Sequence, residues 1–267
     1  MIPNPRHLIL NLLLGAGGEP LPARTAVAAS ALFGLRENSV RVALVRLVAQ
    51  GLVEPATRGS YRLGPQAAGL AADVAQWRAA ASRLRDWSGG WIAVYAAPGA
   101  APEGGAGRRA LRLARARALD LLGLRQLDRG LHLRPDNLEG GAGAVRDRLA
   151  RLGLDGDAAV FAAHDLDPVR ERRARALWDG AALNRGYRST AQRLQRWLAR
   201  ADRLPLADAA RESFTFGHDA IRQLVFDPLL PAPLVDADAR HGFIDAVVRF
   251  DAAGHTIWKR FRQENAA

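Results

Sequence analysis

The sequence predicts an α+β protein with a small N-terminal domain, a central layer of strands and helices, and a helical C-terminal third. Three observations predict this class. Residues 1–65 carry three short helical patterns followed by two β-like segments, and residues 89–165 alternate in the order β-α-β-β-α-β. From residue 166 to 267, apolar residues recur at helical spacing. Residues 66–88 are predicted to form a connecting helix between the first two parts.

The third helix of the N-terminal domain has the clearest pattern in the chain. Its apolar residues recur at i, i+4, i+7 and i+8, which predicts one buried stripe: Val40, Leu44, Leu47 and Val48. Asn38 or Ser39 is predicted to cap its N-terminus, because a short polar side chain there accepts from an unpaired backbone N–H. Gly51 is predicted to end the helix, since glycine readily takes positive φ.

The neighbouring segments complete this domain. Arg6–Leu14 and Ala23–Phe33 predict two preceding helices, and Leu52–Glu54 and Tyr61–Leu63 predict a β-hairpin with Arg58–Ser60 at its tip. Three helices and a hairpin with a basic tip form the outline of a winged helix-turn-helix. In that fold the third helix enters the major groove of DNA.

The polar residues outside the stripe predict a DNA-binding surface. Residues 36–62 contain five Arg against two acids, and guanidinium groups suit both guanine and phosphate contacts. The alternative is an ordinary solvated surface, because Arg is frequent throughout a chain of net charge +11. The predicted DNA-binding residues are Arg36, Asn38, Ser39, Arg41, Arg46, Arg58, Ser60 and Arg62.

The remaining segments predict a ferredoxin-like βαββαβ domain and then a helical domain. The central elements are predicted at Trp91–Ala97, Arg108–Leu122, Leu124–Leu127, Leu131–Leu133, Leu138–Leu152 and Ala158–Ala163. The C-terminal helices are predicted at Pro168–Ala182, Leu183–Arg203, Leu206–Phe226 and Phe243–Phe261.

Composition excludes several classes of protein. The chain has no cysteine, so disulfides, thiolate metal sites and thiol catalysis are excluded. No apolar run approaches the length of a membrane span, and the N-terminus has no export-signal pattern. We therefore expect a cytoplasmic protein without a membrane partner.

Catalysis is the rival function. The six histidines are scattered and none is spaced i, i+3 or i, i+4 from another, so we expect no metal site. A metal-dependent nuclease would need carboxylates near a strand end, but Trp91–Ala97 contains no acid, and Asp128 and Asp136 lie on other segments. We expect no enzymatic activity and no cofactor, with a nuclease-like enzyme as the less favoured alternative.

Four motifs along the chain resemble the PaaX-type repressors, which regulate bacterial phenylacetic acid catabolism. They are Asn38–Leu47 followed by Gly51-Leu52, the pair Trp87 and Trp91, the segment Leu131–Asp136, and Arg222 with Asp227–Pro231. The resemblance implies a homodimer that binds double-stranded operator DNA. It also implies release from the operator by an acyl-CoA effector, typically an aryl-CoA thioester such as phenylacetyl-CoA.

The chain departs from the family pattern after Pro231. Such proteins usually continue with Leu-Leu-Pro and Trp-Pro-Gly, whereas this chain has Leu234-Val235-Asp236 and Arg240-His241-Gly242. A different acyl-CoA or an aromatic acid is therefore the alternative effector. The candidate effector-binding residues are aromatic and basic residues of the C-terminal third: Trp178, Arg185, Tyr187, Arg188, Trp197 and Arg222.

Overall fold

The structure is a computed structural model that describes residues 3–67, 81–96, 105–153 and 158–265. It combines helices with two antiparallel sheets, in agreement with the predicted α+β class. The described helices are α1 (Pro5–Gly15), α2 (Ala23–Ala31), α3 (Glu37–Ala49), α4 (Gly105–Leu121), α5 (Gly141–Arg151), α6 (Pro168–Arg175), α7 (Gly180–Leu198), α8 (Leu206–Val225) and α9 (Ala237–Glu264). The described strands are β1 (Leu21–Pro22), β2 (Val53–Thr57), β3 (Ser60–Leu63), β4 (Trp91–Tyr95), β5 (Arg125–Asp128), β6 (Leu131–Pro135) and β7 (Ala159–Ala163).

The described residues form two compact units. Unit 1 contains residues 3–67, 191–221 and 245–265, and unit 2 contains the other described residues. The helices after residue 166 therefore contribute to both units.

Unit 1 begins with α1, α2 and α3, which pack around one apolar core. The core residues come from all three helices and from β2, and Trp258 and Phe261 of α9 join them. Strands β1, β3 and β2 form an antiparallel sheet in that order. Strand β1 was not predicted, because two residues are too few to show a period. It pairs Leu21 with Tyr61.

The predicted cap of α3 is wrong. The helix begins at Glu37, its N-cap is Arg36, and the Arg36 side chain makes no capping hydrogen bond. Asn38 and Ser39 therefore lie inside the first turn, where Glu37 places negative charge at the positive end of the helix dipole. The predicted C-terminus is confirmed, since Gly51 has a φ of 66° and its N–H donates to the carbonyl of Val48.

Unit 2 contains the four-stranded antiparallel sheet in the order β5-β6-β4-β7. Side chains of β4, α4 and α5 form its core on one face of the sheet, including Ile92, Val94, Leu119, Val145 and Leu149. Arg134 of β6 is completely buried and donates to the carbonyl oxygen of Leu122 at 2.5 Å. Burial lowers the pKa of this guanidinium to about 10.

Several predicted helix bounds differ from the structure; the last helix, for example, begins at Ala237 rather than at the predicted Phe243. Of the predicted connecting helix 66–88, residues 68–80 lie outside the described residues, and residues 84–88 are not helical. The predicted break between Ala182 and Leu183 lies instead before Gly180, where the Asp179 side chain accepts from the N–H of Ala182 at 2.8 Å. The short polar side chain of Asp179 thus starts a new helix after Trp178.

Candidate nucleic-acid interface

Helix α3 has one buried side and one exposed side. Val40, Leu44 and Leu47 are at most 3% exposed and pack in the core of unit 1, as predicted. Val48 is only partly buried. Because an α-helix turns 100° per residue, this stripe directs the side chains of residues 38, 42, 45 and 49 to the opposite side.

The polar residues on the exposed side of α3 are available to a ligand. Asn38, Ser39 and Arg46 are exposed, and among the described residues none of their side chains forms a hydrogen bond or ion pair. Since Asn38 and Ser39 do not cap the helix, their amide and hydroxyl groups remain free to contact DNA bases or phosphates.

The other predicted arginines fall into two groups. Arg41 forms an ion pair with Glu37 at 2.6 Å, and Arg62 forms one with Glu54 at 2.7 Å on the neighbouring strand. Arg36, before α3, is exposed and forms no ion pair within the described part of the chain.

The tip of the β2–β3 hairpin is the second part of the candidate interface. Arg58 at the tip is exposed and also forms no ion pair with any described residue, and Gly59 has a φ of 76° that allows the tight turn. Ser60, at the start of β3, is half-buried. The uncompensated positive charge of this interface therefore lies on Arg36, Arg46 and Arg58.

A cleft of about 480 Å³ separates the N-terminus of α1 from the exposed side of α3. It adds Arg6 and Gln50 to the surface, and neither was predicted from the sequence. Asn4 caps α1 by accepting from the N–H of Arg6 at 2.9 Å, but Arg6 comes to face α3 only when the two helices pack on one core. The residues that line the cleft are Asn4, Pro5, Arg6, Asn38, Ser39, Val42, Ala43, Arg46, Leu47 and Gln50.

The aromatic candidates for effector binding lie in separate packing clusters. Trp178 stacks parallel to Trp91 with ring centroids 6.2 Å apart, and Tyr187 stacks on Phe243 at 5.6 Å. Trp197, which belongs to unit 1, packs on Phe250 at 4.7 Å. All three candidates are at most 8% exposed, so in this conformation they fill cores.

The basic candidates for effector binding are exposed. Arg185 and Arg222 form no ion pair with a described residue, whereas Arg188 pairs with Asp236. Asp236 also accepts from the N–H of Ala239 at 3.0 Å, and this bond, with the Arg188 guanidinium, lowers the pKa of its carboxyl.

The segment that departs from the family pattern makes intramolecular contacts. Arg240 is 4% exposed and donates to the carbonyl oxygen of Leu230, and the N–H of Asp236 donates to Asn184 Oδ1 at 2.9 Å. Asp227 is buried beside Tyr187, and burial raises the pKa of both groups. The altered residues thus hold the start of α9 against α7 and the Asp227–Pro231 turn.

The two carboxylates considered for a nuclease site each form an ion pair with an arginine. Asp128 pairs with Arg173 at 2.8 Å, and Asp136 pairs with Arg85. Across the described ranges, no cluster of three or more His, Asp or Glu side chains could hold a metal ion.

No helix within those ranges has the length and apolar character needed to cross a bilayer.

The exposed side of α3 and the basic hairpin tip form the kind of surface that nucleic-acid-binding proteins use. Comparison with known families identifies the family of the chain. Residues 4–67 match the family described as PaaX-like protein, and residues 178–260 match the PaaX-like protein C-terminal domain. The chain belongs to the PaaX-like family, as its motifs predicted. Members of this family are regulators, which suggests a DNA-binding transcription regulator rather than an enzyme.

A solved structure shares the fold. The uncharacterized protein Rv0674 from Mycobacterium tuberculosis is 24% identical, and the alignment covers 98% of each chain with a TM-score of 0.65. At this identity the likeness concerns the fold alone. No curated protein matches the chain.

Proposed function

We propose that this protein is a transcriptional repressor that binds double-stranded operator DNA through α3 and the β2–β3 hairpin. The observation that carries the proposal is the exposed side of α3, where Asn38, Ser39 and Arg46 have no partner among the described residues. The order α1, α2, α3 and a hairpin supports a winged helix-turn-helix, with α3 in the major groove and Arg58 on the phosphates.

Unit 2 supports a ferredoxin-like domain. Its elements run in the order β-α-β-β-α-β, and its strands lie in the order β5-β6-β4-β7. We assign effector binding and dimerisation to the helices that follow. A single winged helix offers few base contacts, so we propose a homodimer on a pseudo-palindromic operator with half-sites spaced by whole helical turns.

Substitutions of two arginines test the DNA interface. Arg46→Ala should weaken binding by roughly 1–3 kcal/mol and relax specificity at one base pair, because a base-edge contact is lost. Arg58→Ala should weaken binding to every sequence alike and reduce the slope of log affinity against log salt by about one, because a phosphate contact is lost. Fluorescence anisotropy with a duplex enriched by the full chain from a random library measures both.

Arg125→Ala is a matched control, because Arg125 is an arginine of β5 in unit 2 whose ion pair with Asp120 is partly exposed. It should bind the duplex like the wild type. Equal binding by wild type, Arg46→Ala and Arg58→Ala would refute the proposed interface.

We further propose that an acyl-CoA, most directly an aryl-CoA such as phenylacetyl-CoA, releases the repressor. The family membership supports this effector class, and the exposed Arg185 and Arg222 offer cations for an anionic nucleotide tail. A ligand weakens DNA binding only if it prefers a conformation in which the two copies of α3 no longer match the groove spacing.

Thermal unfolding with phenylacetyl-CoA, free CoA and an aliphatic acyl-CoA tests this effector class. A ligand at 100 times its Kd should stabilise the folded chain by about 2.7 kcal/mol. We expect the aryl-CoA to raise Tm and to release the enriched duplex, and free CoA to do neither. A shift with the aliphatic thioester alone would favour the alternative effector, and no shift with any of them would reject acyl-CoA control.

A further inference from the structure

The middle of the exposed side of α3 is apolar. Val42 and Val45 are 41% and 69% exposed, and Ala49 continues the same line one turn later. Among the side chains whose exposure the structure describes, Val45 is the most exposed large apolar one. The line points directly away from the buried stripe, with Asn38 at its N-terminal end.

Within the described residues of unit 1, neither helix formation nor burial favours valine at these two positions. A β-branched side chain loses rotamer freedom in a helix, so alanine or arginine would form the helix better. An exposed side chain also gains little from burial in the protein core. The two valines therefore suit contact with a partner rather than the stability of the domain.

The surroundings of the valines define the chemistry of that partner. Arg46 and Ser39 flank the line on one side, and Arg41, which pairs with Glu37, lies on the other. Because Arg46 has no partner among the described residues, a partner that combines apolar groups with negative charge fits this surface. The major groove of DNA does so where thymine occurs, because the C5-methyl group of thymine projects between two phosphate backbones.

We propose that Val42 and Val45 contact thymine C5-methyl groups, which makes the centre of each half-site A·T-rich. This inference rests on the proposed function and refines it. Asn38 fits the same sequence, because its amide can bind the N6 and N7 edge of the adenine paired with a thymine. Arg46 then reads the flanking part of the half-site.

Replacement of thymine by deoxyuridine removes the methyl group and leaves base pairing unchanged. The probe is the duplex enriched from a random library by the full-length chain, with each thymine replaced in turn. Burial of one methyl group contributes ~0.8 kcal/mol, so wild type should bind about fourfold more weakly at one or two positions of each half-site.

Alanine variants identify the side chain that contacts each methyl group. Val45→Ala should bind the unmodified duplex more weakly and should no longer distinguish thymine from deoxyuridine at its position, and Val42→Ala should do the same at a neighbouring position. Val248→Ala is the matched control, because Val248 is an exposed helical valine of α9, 47% exposed. It should keep the wild-type response at every position.

The outcomes separate the inference from the proposed function. If no sequence is enriched, DNA recognition itself fails, and the inference fails with it. If a sequence is enriched but no deoxyuridine weakens binding, or if Val45→Ala keeps the full thymine preference, only the methyl contact is overturned. Light scattering without DNA provides a further check. If Val45→Ala changes the oligomeric mass of the protein, the valines belong to a protein interface, and the proposed methyl contact is overturned.

Discussion

Leu44→Ala is expected to destabilise unit 1 by about 2–5 kcal/mol. Leu44 is 3% exposed and lies on α3 between Val40 and Leu47 in the core. Its truncation removes buried apolar surface and leaves a cavity that the helices around it cannot fully close. Since the same core fixes the orientation of α3, DNA affinity should fall as the unfolded fraction of unit 1 rises.

The next residue provides the control. Val45→Ala removes two methyl groups from a side chain that is 69% exposed, so the free energy of unfolding should change by no more than about 0.5 kcal/mol. Urea titration followed by tryptophan fluorescence measures both variants, because Trp258 lies in the same core. Similar midpoints for Leu44→Ala and Val45→Ala would mean that α3 does not bury the predicted stripe.

Gly180→Ala is expected to destabilise unit 2 by about 3 kcal/mol, at the upper end of the usual cost of overpacking. A Cβ atom at this first residue of α7 would overlap the carbonyl oxygen of Leu234. That neighbour is backbone and cannot rotate away, so α7 or the segment before α9 must move. The loss of stability should appear as a lower Tm.

Gly143→Ala is the matched control for this glycine. Gly143 lies in α5, its φ is not positive, and no described atom lies within 4 Å of the position that a Cβ atom would take there. Alanine there should raise the free energy of unfolding by about 0.4–1 kcal/mol, because it restricts the unfolded chain and favours the helix. Equal Tm values for the two variants would contradict the close approach of Gly180 and Leu234.

The apolar period predicted the elements that depend on local pattern. The stripe of Val40, Leu44 and Leu47 follows from the helical repeat alone. The end of α3 at Gly51 follows from the residue itself, because glycine readily takes the positive φ found there. Strand β1 escaped prediction because it depends on pairing with the distant Tyr61. The start of α7 at Gly180 was missed although its signal is local, because the apolar period does not reveal the capping side chain of Asp179.

The candidate site was predicted in part. Residue type and spacing identified Asn38, Ser39 and Arg46 on the exposed side of α3. They did not identify Arg6, because the cleft between α1 and α3 exists only once both helices pack on one core. Residue type and spacing also did not identify Val42 and Val45 as candidate contact residues. An exposed valine suggests a contact only when the structure shows which way its side chain points.

Methylation of the enriched duplex by dimethyl sulfate tests most directly whether α3 lies in the major groove. The reagent modifies guanine N7, which faces that groove. The bound wild-type chain should protect at least one guanine in each half-site, and Arg46→Ala should restore the reactivity of one guanine while any other protected guanine stays protected. Unchanged guanine reactivity in the wild-type complex, or protection that survives Arg46→Ala, would contradict the proposed role of α3.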